Sequence, residues 1–257
     1  MLPLKDDTTE GRRVAAGFES EARSIGALRG SARGARNVRR RLEAMARLGE
    51  LGGDRLLDVG CGTGEYTREF AGIYNEVDGI DIELDRLAIF EADHPDNVAV
   101  KAMSITDADY PDESFDAVTM IEVLEHLADI GASMREIART LRPSGALHLT
   151  TPNRWWPFEQ HGVPLGSKRY GGYLFPGLTW VKPLHRRLSN CGAFTRGDLE
   201  RIAADAGLVL TGVTFMMPPL DSLPEGHVLH RLTEAVEDSP LGGCSQTVIA
   251  RMAKPAS

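Results

Sequence analysis

Leu56-Leu57-Asp58-Val59-Gly60-Cys61-Gly62-Thr63-Gly64-Glu65-Tyr66-Thr67 sets an apolar run, three glycines and a polar helix start into twelve residues. The apolar run reads as a buried strand, Glu65 onward as a helix, and the glycines as the bend between them. Glycine takes positive φ without strain and, lacking a Cβ, lets a ligand come against the backbone. Such a bend is a cradle for a nucleotide-type cofactor, with Gly60, Cys61, Gly62 and Gly64 as its candidate contacts.

Two cofactor classes use such a loop, and Glu65 separates them. A dinucleotide fingerprint, G-x-G-x-x-G/A, needs glycine or alanine at position 65 and seats a pyrophosphate on the N-terminus of the next helix. A carboxylate there suits the helix dipole but repels the pyrophosphate. It does not repel a cofactor carrying a sulfonium and an ammonium. Asp58, at the strand end, points the same way, as a partner for a cationic amino-acid tail. A second strand, Glu76 to Ile80, ends in Asp81, 23 residues after Asp58. An acid at that tip accepts both hydroxyls of a ribose.

Together with three segments further along the chain, this stretch resembles motif I of the class I S-adenosylmethionine-dependent methyltransferases. Tyr110-Pro111-Asp112-Glu113-Ser114-Phe115-Asp116 is similar to the family's entry to strand four, and Ile121-Glu122-Val123-Leu124-Glu125-His126-Leu127 to its post-strand motif. Leu141-Arg142-Pro143-Ser144-Gly145, with Leu147-His148-Leu149-Thr150-Thr151-Pro152-Asn153 after it, is similar to its turn into strand five. The resemblance is close over about residues 50–153. It implies S-adenosylmethionine as cofactor, Asp81 as the ribose ligand, Ile82 as an adenine contact and Ile121 close by at the end of strand four. Where family members often place an acid for the adenine amino group, this chain has Ser104, with Ile105 next to it. A hydroxyl accepts that bond more weakly.

The resemblance also implies the fold: a doubly wound, Rossmann-like α/β domain with a mostly parallel seven-stranded sheet and one antiparallel strand. Residues 1–50 would form an N-terminal helical cap and 51–257 the methyltransferase domain, with a lid insertion at about 154–194 after strand five. The patterning agrees. Strands read at about 55–59, 76–81, 97–102, 116–121 and 146–151, alternating with helical stretches as a parallel sheet requires. Asn37 to Leu48 carries an apolar stripe, and Ile130, Met134, Ile137, Ala138 and Leu141 mark a helix around 129–142. Thr195 is placed to cap a helix running to Ala206 and stopped by Gly207. Val209 to Met216 and Ser245 to Met252 read as closing strands, His227 to Val236 as a short helix, and Pro218 to Pro224 as a loop over the site. From Asn153 to Ala193 the periodicity dissolves, as in a lid or binding loop.

Methyl transfer from a sulfonium is an in-line displacement that needs alignment, exclusion of water and often a base. In this fold the residues after strand four face the methyl group, which makes Glu122, Glu125 and His126 the candidate catalytic residues. Two carboxylates three apart beside an imidazole could also converge on a divalent cation. The same E-x-x-E-H string is similar to that of ubiquinone-biosynthesis O-methyltransferases and small-RNA 2′-O-methyltransferases, where it is associated with a metal that polarises the accepting hydroxyl. The RNA group has a further histidine before its T-R helix start; aligning on Thr195-Arg196 puts Asn190 or Cys191 there. Metal-independent relatives carry E-H too, with the glutamate shaping the loop. His161, on the lid, is the rival base. His148 reads as packed in strand five, and His94, His185, His227 and His230 have no motif around them. Seven lid aromatics, Trp155, Trp156, Phe158, Tyr170, Tyr173, Phe175 and Trp180, are concentrated in a chain only 6% aromatic; they could line a ring-shaped acceptor's site or pack as core.

The chain has 257 residues, 42% apolar and 26% charged, enough for one enlarged domain. No apolar run approaches a membrane span and Met1 to Ser20 is largely polar, so neither a span nor a secretory leader is expected. Three cysteines without metal spacing suit a reducing cytoplasm. The formal charge of −8 hides an asymmetry: Arg23 to Arg47 holds eight arginines against Glu43 alone, and Arg154 to Arg187 six bases against Glu159 alone. As a rim on the substrate mouth these would draw an anionic acceptor; as solvated faces they would do nothing. The expected activity is methyl transfer to an oxygen of a small or lipid-linked acceptor, such as a sugar, uronate or phenol. An RNA acceptor is the alternative, disfavoured by the lack of an appended RNA-binding module. A non-catalytic assembly partner and a nicotinamide oxidoreductase are opposed by the polar set after strand four and by Glu65 respectively.

Overall fold

The computed structural model describes residues 32–256 apart from 166, 167, 190, 221, 222 and 225. The first part of the expected cap, with the arginines at 23 and 29, lies outside the described residues, as does Asn190.

In chain order the helices are α1 (Ala32–Ala46), α2 (Glu65–Ala71), α3 (Leu84–Glu91), α4 (Ile130–Thr140), α5 (Lys182–Ser189), α6 (Arg196–Asp205) and α7 (Val228–Glu237). The strands are β1 (Gly53–Val59), β2 (Tyr74–Asp81), β3 (Val98–Ala102), β4 (Phe115–Ile121), β5 (Leu141–Pro152), β6 (Val163–Leu165), β7 (Lys168–Tyr170), β8 (Val209–Met216) and β9 (Thr247–Ala253). Seven strands form one sheet in the order β3-β2-β1-β4-β5-β9-β8. Only β9 runs antiparallel to its neighbours, with Thr150 opposite Ile249 on one side and Thr214 opposite Ile249 on the other. This is the doubly wound sheet the sequence implies.

Helices cover both faces, which is why the central strands are apolar at consecutive positions instead of alternating. Leu57, Val59, Val118, Met120 and Leu147 pack on one face with Met134 and Ile137 of α4 and Leu199 and Ala203 of α6. Leu56, Val77 and Ala117 point the other way, against Phe70 of α2 and Leu87 and Phe90 of α3. Ala44 and Met45 of α1 close that second face over Met216 and Ile249. The strand order reverses between β1 and β4, so the loops leaving β1, β2, β4 and β5 gather at one edge of the sheet. That edge is where ligands bind in open α/β sheets.

Thr195 caps α6 as expected, in a full capping box with Asp198, and Gly207 lies just past the helix at φ 75°. The stretch 153–193 departs from expectation. It is built, not irregular: β6 and β7 pair as a hairpin, and α5 comes after them. Short elements of three to eight residues, punctuated by glycine and proline, leave too little periodicity to read.

Candidate functional site

The three glycines at the end of β1 bend at φ 77°, 54° and 78°. Gly60 N and Cys61 N both donate to the Ile80 carbonyl, at 2.7 and 3.0 Å, stitching the loop to β2. Asp81 then closes the join, one carboxylate oxygen accepting from Gly62 N at 2.8 Å and the other from Glu83 N at 2.9 Å. The glycines answer to different neighbours. A Cβ on Gly64 would enter the ring of Phe90, so this residue lets α2 close on α3. A Cβ on Gly62 would meet nothing nearer than the Arg86 guanidinium, 3.6 Å away. There the nearest neighbour is a flexible charged side chain at ordinary contact distance, and Ile82, 72% exposed, follows the tip of β2.

Three expected contacts sit lower than the sequence suggests. Asp58 is buried beneath the loop, accepting from Thr67 Oγ1 at 2.6 Å and Thr119 Oγ1 at 2.8 Å. Its carboxylate ties β1, α2 and β4 together; burial pushes its pKa up to about 6 against the pull of the two hydroxyls. Cys61 is turned inward over Gly79, and burial, then the Asp58 charge, raises its thiol, leaving only its backbone to face a ligand. The Ile105 side chain belongs to the core. Ser104 caps the turn Ile105–Asp107, its hydroxyl accepting from Thr106 N at 3.3 Å. In each case the element is where the pattern puts it; inward or outward is decided by which neighbours the loop meets.

On the other side of the switch point, Glu122 leaves β4 in a left-handed conformation, φ 54°. Its Oε1 accepts from Thr150 Oγ1 at 2.8 Å and lies 3.2 Å from Arg41 of α1. Glu125 is buried, accepting from Thr151 Oγ1 at 3.1 Å, while its Oε1 has no hydrogen-bond partner. Burial, then the Glu122 charge, raises its carboxyl well above the ordinary range. His126 stands exposed at the end of the turn Leu124–His126.

The lid insertion brings two further groups to His126. The His161 ring meets it edge-on with centroids 5.0 Å apart, and Cys191 Sγ lies 3.7 Å from His126 Nδ1. His161 is anchored by the buried Glu159, which accepts from His161 N at 2.8 Å, faces its Nδ1 at 3.4 Å and also bonds His185 Nε2. Burial disfavours a charged His161, but Cys191 and then Glu159 overcome it and raise its pKa to about 10. Burial likewise opposes a thiolate at Cys191, yet the two imidazoles bring it down to about 6. The thiol and the imidazole thus favour each other's charged forms. His126 and His161, the two candidate bases, thus stand in contact, and His126 is the more exposed of the two.

A family model described as "Methyltransferase domain" matches residues 57–149. The curated "Ubiquinone biosynthesis O-methyltransferase" of Xanthomonas campestris pv. campestris (strain B100) is 38% identical over 167 residues, 58% of this chain and 70% of that protein. This chain belongs to the class I S-adenosylmethionine-dependent methyltransferases. The protein of the same name from Xanthomonas euvesicatoria pv. vesicatoria (strain 85-10) is also 38% identical, over 119 residues, 44% of this chain. This chain spans about half, 49%, of that relative's length. In fold it is similar to an S-adenosylmethionine-dependent methyltransferase from Mesorhizobium loti, with a TM-score of 0.59 at 21% identity over 82% of this chain and 96% of that one.

The family's cofactor suits the cradle of this methyltransferase. The bare backbone at Gly62, the acid of Asp81 and the exposed Ile82 suit an adenosine, and Asp81 and Glu122 put acidic groups at this edge of the sheet for a cation, with Asp58 held beneath the loop. The divalent metal associated with E-x-x-E-H fits less well. Glu122 is committed to Arg41 and Thr150, and it does not join Glu125 and His126 in a compact donor group.

Sequence reading missed Arg41, Glu159 and His185 as parts of this site. Arg41 carried a signal: it falls on the stripe of Val38, Leu42 and Met45, a charge where an apolar residue belongs. Part of the expected basic rim is paired with acids. Arg36 pairs with Glu234, Arg40 with Glu237, and Arg154 and Lys182 with Asp198, so these charges knit the cap and lid to the body. No helix among the described residues is long and apolar enough to cross a membrane.

Proposed function

We propose that this methyltransferase moves a methyl group from S-adenosylmethionine to an oxygen of a ring-bearing small molecule, a phenol-type hydroxyl being the preferred acceptor over a sugar or uronate. The observation that carries the reading is the convergence of the glycine cradle, Asp81 and the post-β4 turn on one edge of the sheet. The relatives' shared name, an O-methyltransferase of ubiquinone biosynthesis, supports oxygen as the accepting atom.

Bound in the cradle, the cofactor supplies a methyl carbon activated by its sulfonium. The chain does the rest. Asp81 exchanges its bond to Gly62 N–H for the ribose hydroxyls, and Ile82 offers an apolar surface to the adenine. Glu122, held by Arg41 and Thr150, keeps the β4 turn in its left-handed bend. His126, exposed at the end of that turn, takes the proton from the acceptor hydroxyl. Trp155, Tyr173 and Trp180, all more than half exposed on the insertion, offer ring faces on which an aromatic acceptor stacks.

The test is calorimetric titration with S-adenosylhomocysteine, and then transfer of labelled methyl to a panel of phenols, sugars, uronates and a short RNA. Binding with label on a phenolic oxygen supports the reading. Absence of binding removes it, and label on RNA with a steep salt dependence replaces the acceptor.

A further inference from the structure

We infer that His126, His161 and Cys191 form a three-donor site for a thiophilic divalent cation of the zinc class, at the acceptor side of the cofactor cradle. Among the described residues these three are the group of metal-ligating side chains whose donor atoms all lie within 4.8 Å of one another. They come from three places: the turn after β4, the stretch before β6, and the segment between α5 and α6. No local motif gathers them; the lid must fold onto the β4 turn to do it.

Four observations point to a metal. First, the spacing is right. Bonds of about 2.3 Å to sulfur and about 2.0 Å to nitrogen at a tetrahedral angle place sulfur and nitrogen about 3.5 Å apart, and Cys191 Sγ lies 3.7 Å from His126 Nδ1. Second, the donor set has a preference: two imidazoles and a thiolate suit zinc, whereas magnesium and calcium take oxygen ligands. Third, the outer support exists. Histidine ligands of metals give their other ring nitrogen to a carboxylate, and His161 Nδ1 faces Glu159 at 3.4 Å. That leaves Nε2 for an ion, and Glu159 is itself buried and fixed by His185. Fourth, Glu125, next to His126 in the chain, keeps its Oε1 buried without a hydrogen-bond partner, an unsatisfied acceptor one residue from a ligand.

Three protein ligands leave one position open, the arrangement of catalytic rather than structural zinc. His126 is exposed while Cys191 is buried, so an ion can enter from solvent on the His126 side. The site's capacity to bind rests on its own geometry. Its use, holding the acceptor oxygen and making its proton easier to lose, rests on the methyl-transfer reading above. With the ion in place His126 is a ligand, and its part in deprotonation passes through that bond.

The experiment is titration of chelator-treated full-length protein with cobalt(II) as the spectroscopic stand-in for zinc, with S-adenosylhomocysteine calorimetry on the same preparation. Expected are a thiolate-to-cobalt charge-transfer band and the intense visible bands of four-coordinate cobalt, saturating at one equivalent and displaced by zinc. Cys191→Ser should abolish the charge-transfer band. His161→Asn and the exposed His126→Asn should weaken cobalt binding by tenfold or more; His126→Asn carries the test if Cys191→Ser fails to fold. No band at stoichiometric cobalt overturns the site. So does a band that survives Cys191→Ser, which would assign it to the exposed Cys244. Cofactor binding without cobalt binding removes this site and leaves the proposed function standing; cobalt binding without cofactor binding does the reverse.

Discussion

Asp81 accepts a hydrogen bond from Gly62 N at 2.8 Å, so the acid at the tip of β2 and the bare backbone at the tip of β1 are held against each other before any ligand arrives. The join fixes the acid against the loop, and on the proposed function it is the group that meets the ribose. Asp81→Ala removes both the acceptor and the join. Affinity for S-adenosylhomocysteine should fall by at least tenfold, from loss of hydrogen bonds to a charged group worth about 1.5–3 kcal/mol. Calorimetry reads it, and unchanged affinity in a folded variant would remove Asp81 from the cofactor site.

Gly62 and Gly64 share a left-handed backbone but should fail differently. Gly64→Ala puts a methyl into the Phe90 ring and should lower stability by about 2–4 kcal/mol, from overpacking plus strain. Gly62→Ala meets only the Arg86 guanidinium, at an ordinary contact distance of 3.6 Å, so its stability cost is strain alone, about 1 kcal/mol, and its main effect is lost cofactor affinity. Thermal melts beside calorimetry separate the two; equal behaviour would mean that both glycines serve packing only.

Asp58 should leave a signature in stability against pH. Burial raises its pKa from 3.8 to about 6, so between those values the folded chain keeps a proton that the unfolded chain gives up. Stability is then greatest below the unfolded pKa and falls as pH rises through about 6, by on the order of 3 kcal/mol in all. Denaturant melts from pH 4 to pH 7 should show this slope in the native chain and lose it in Asp58→Asn. A slope that persists in the variant belongs to another group.

Arg41 reaches from α1 to Glu122, with side chains 12% and 25% exposed. Arg41→Met leaves Glu122 with Thr150 alone and should cost about 3 kcal/mol, the low end for a broken buried pair because Glu122 keeps some solvent. Adding Glu122→Gln should recover part of that loss, a coupling that a double-mutant cycle measures. Strict additivity would show that the contact contributes nothing.

His126→Ala should lower kcat by about 100-fold or more, the range of a positioned acid or base, while S-adenosylhomocysteine affinity stays as in the native chain. Parallel losses in both would make His126 a structural residue.

Much of this protein is fixed locally. The strand, glycine bend and helix of residues 56–67, the acid at 81, the capping box at Thr195 and the strand Val209–Met216 each carry a pattern legible within a few residues, and a local rule reads them. What local rules do not reach is the direction a side chain takes once distant elements close on it. Asp58 goes beneath the loop because Thr67 and Thr119 are there to bond it. Ile105 joins the core, and the arginines of the cap meet acids nearly two hundred residues away. The hairpin and helix inside 153–189 are too short for periodicity to register. The meeting of His126, His161 and Cys191 needs the insertion folded over the β4 turn, a long-range closure whose partners lie 30 or more residues apart in the chain. Sequence decided that this chain builds the cradle, because glycine at a bend is a property of the backbone itself. Tertiary structure alone decided what stands opposite the cradle, because that depends on which surfaces pack.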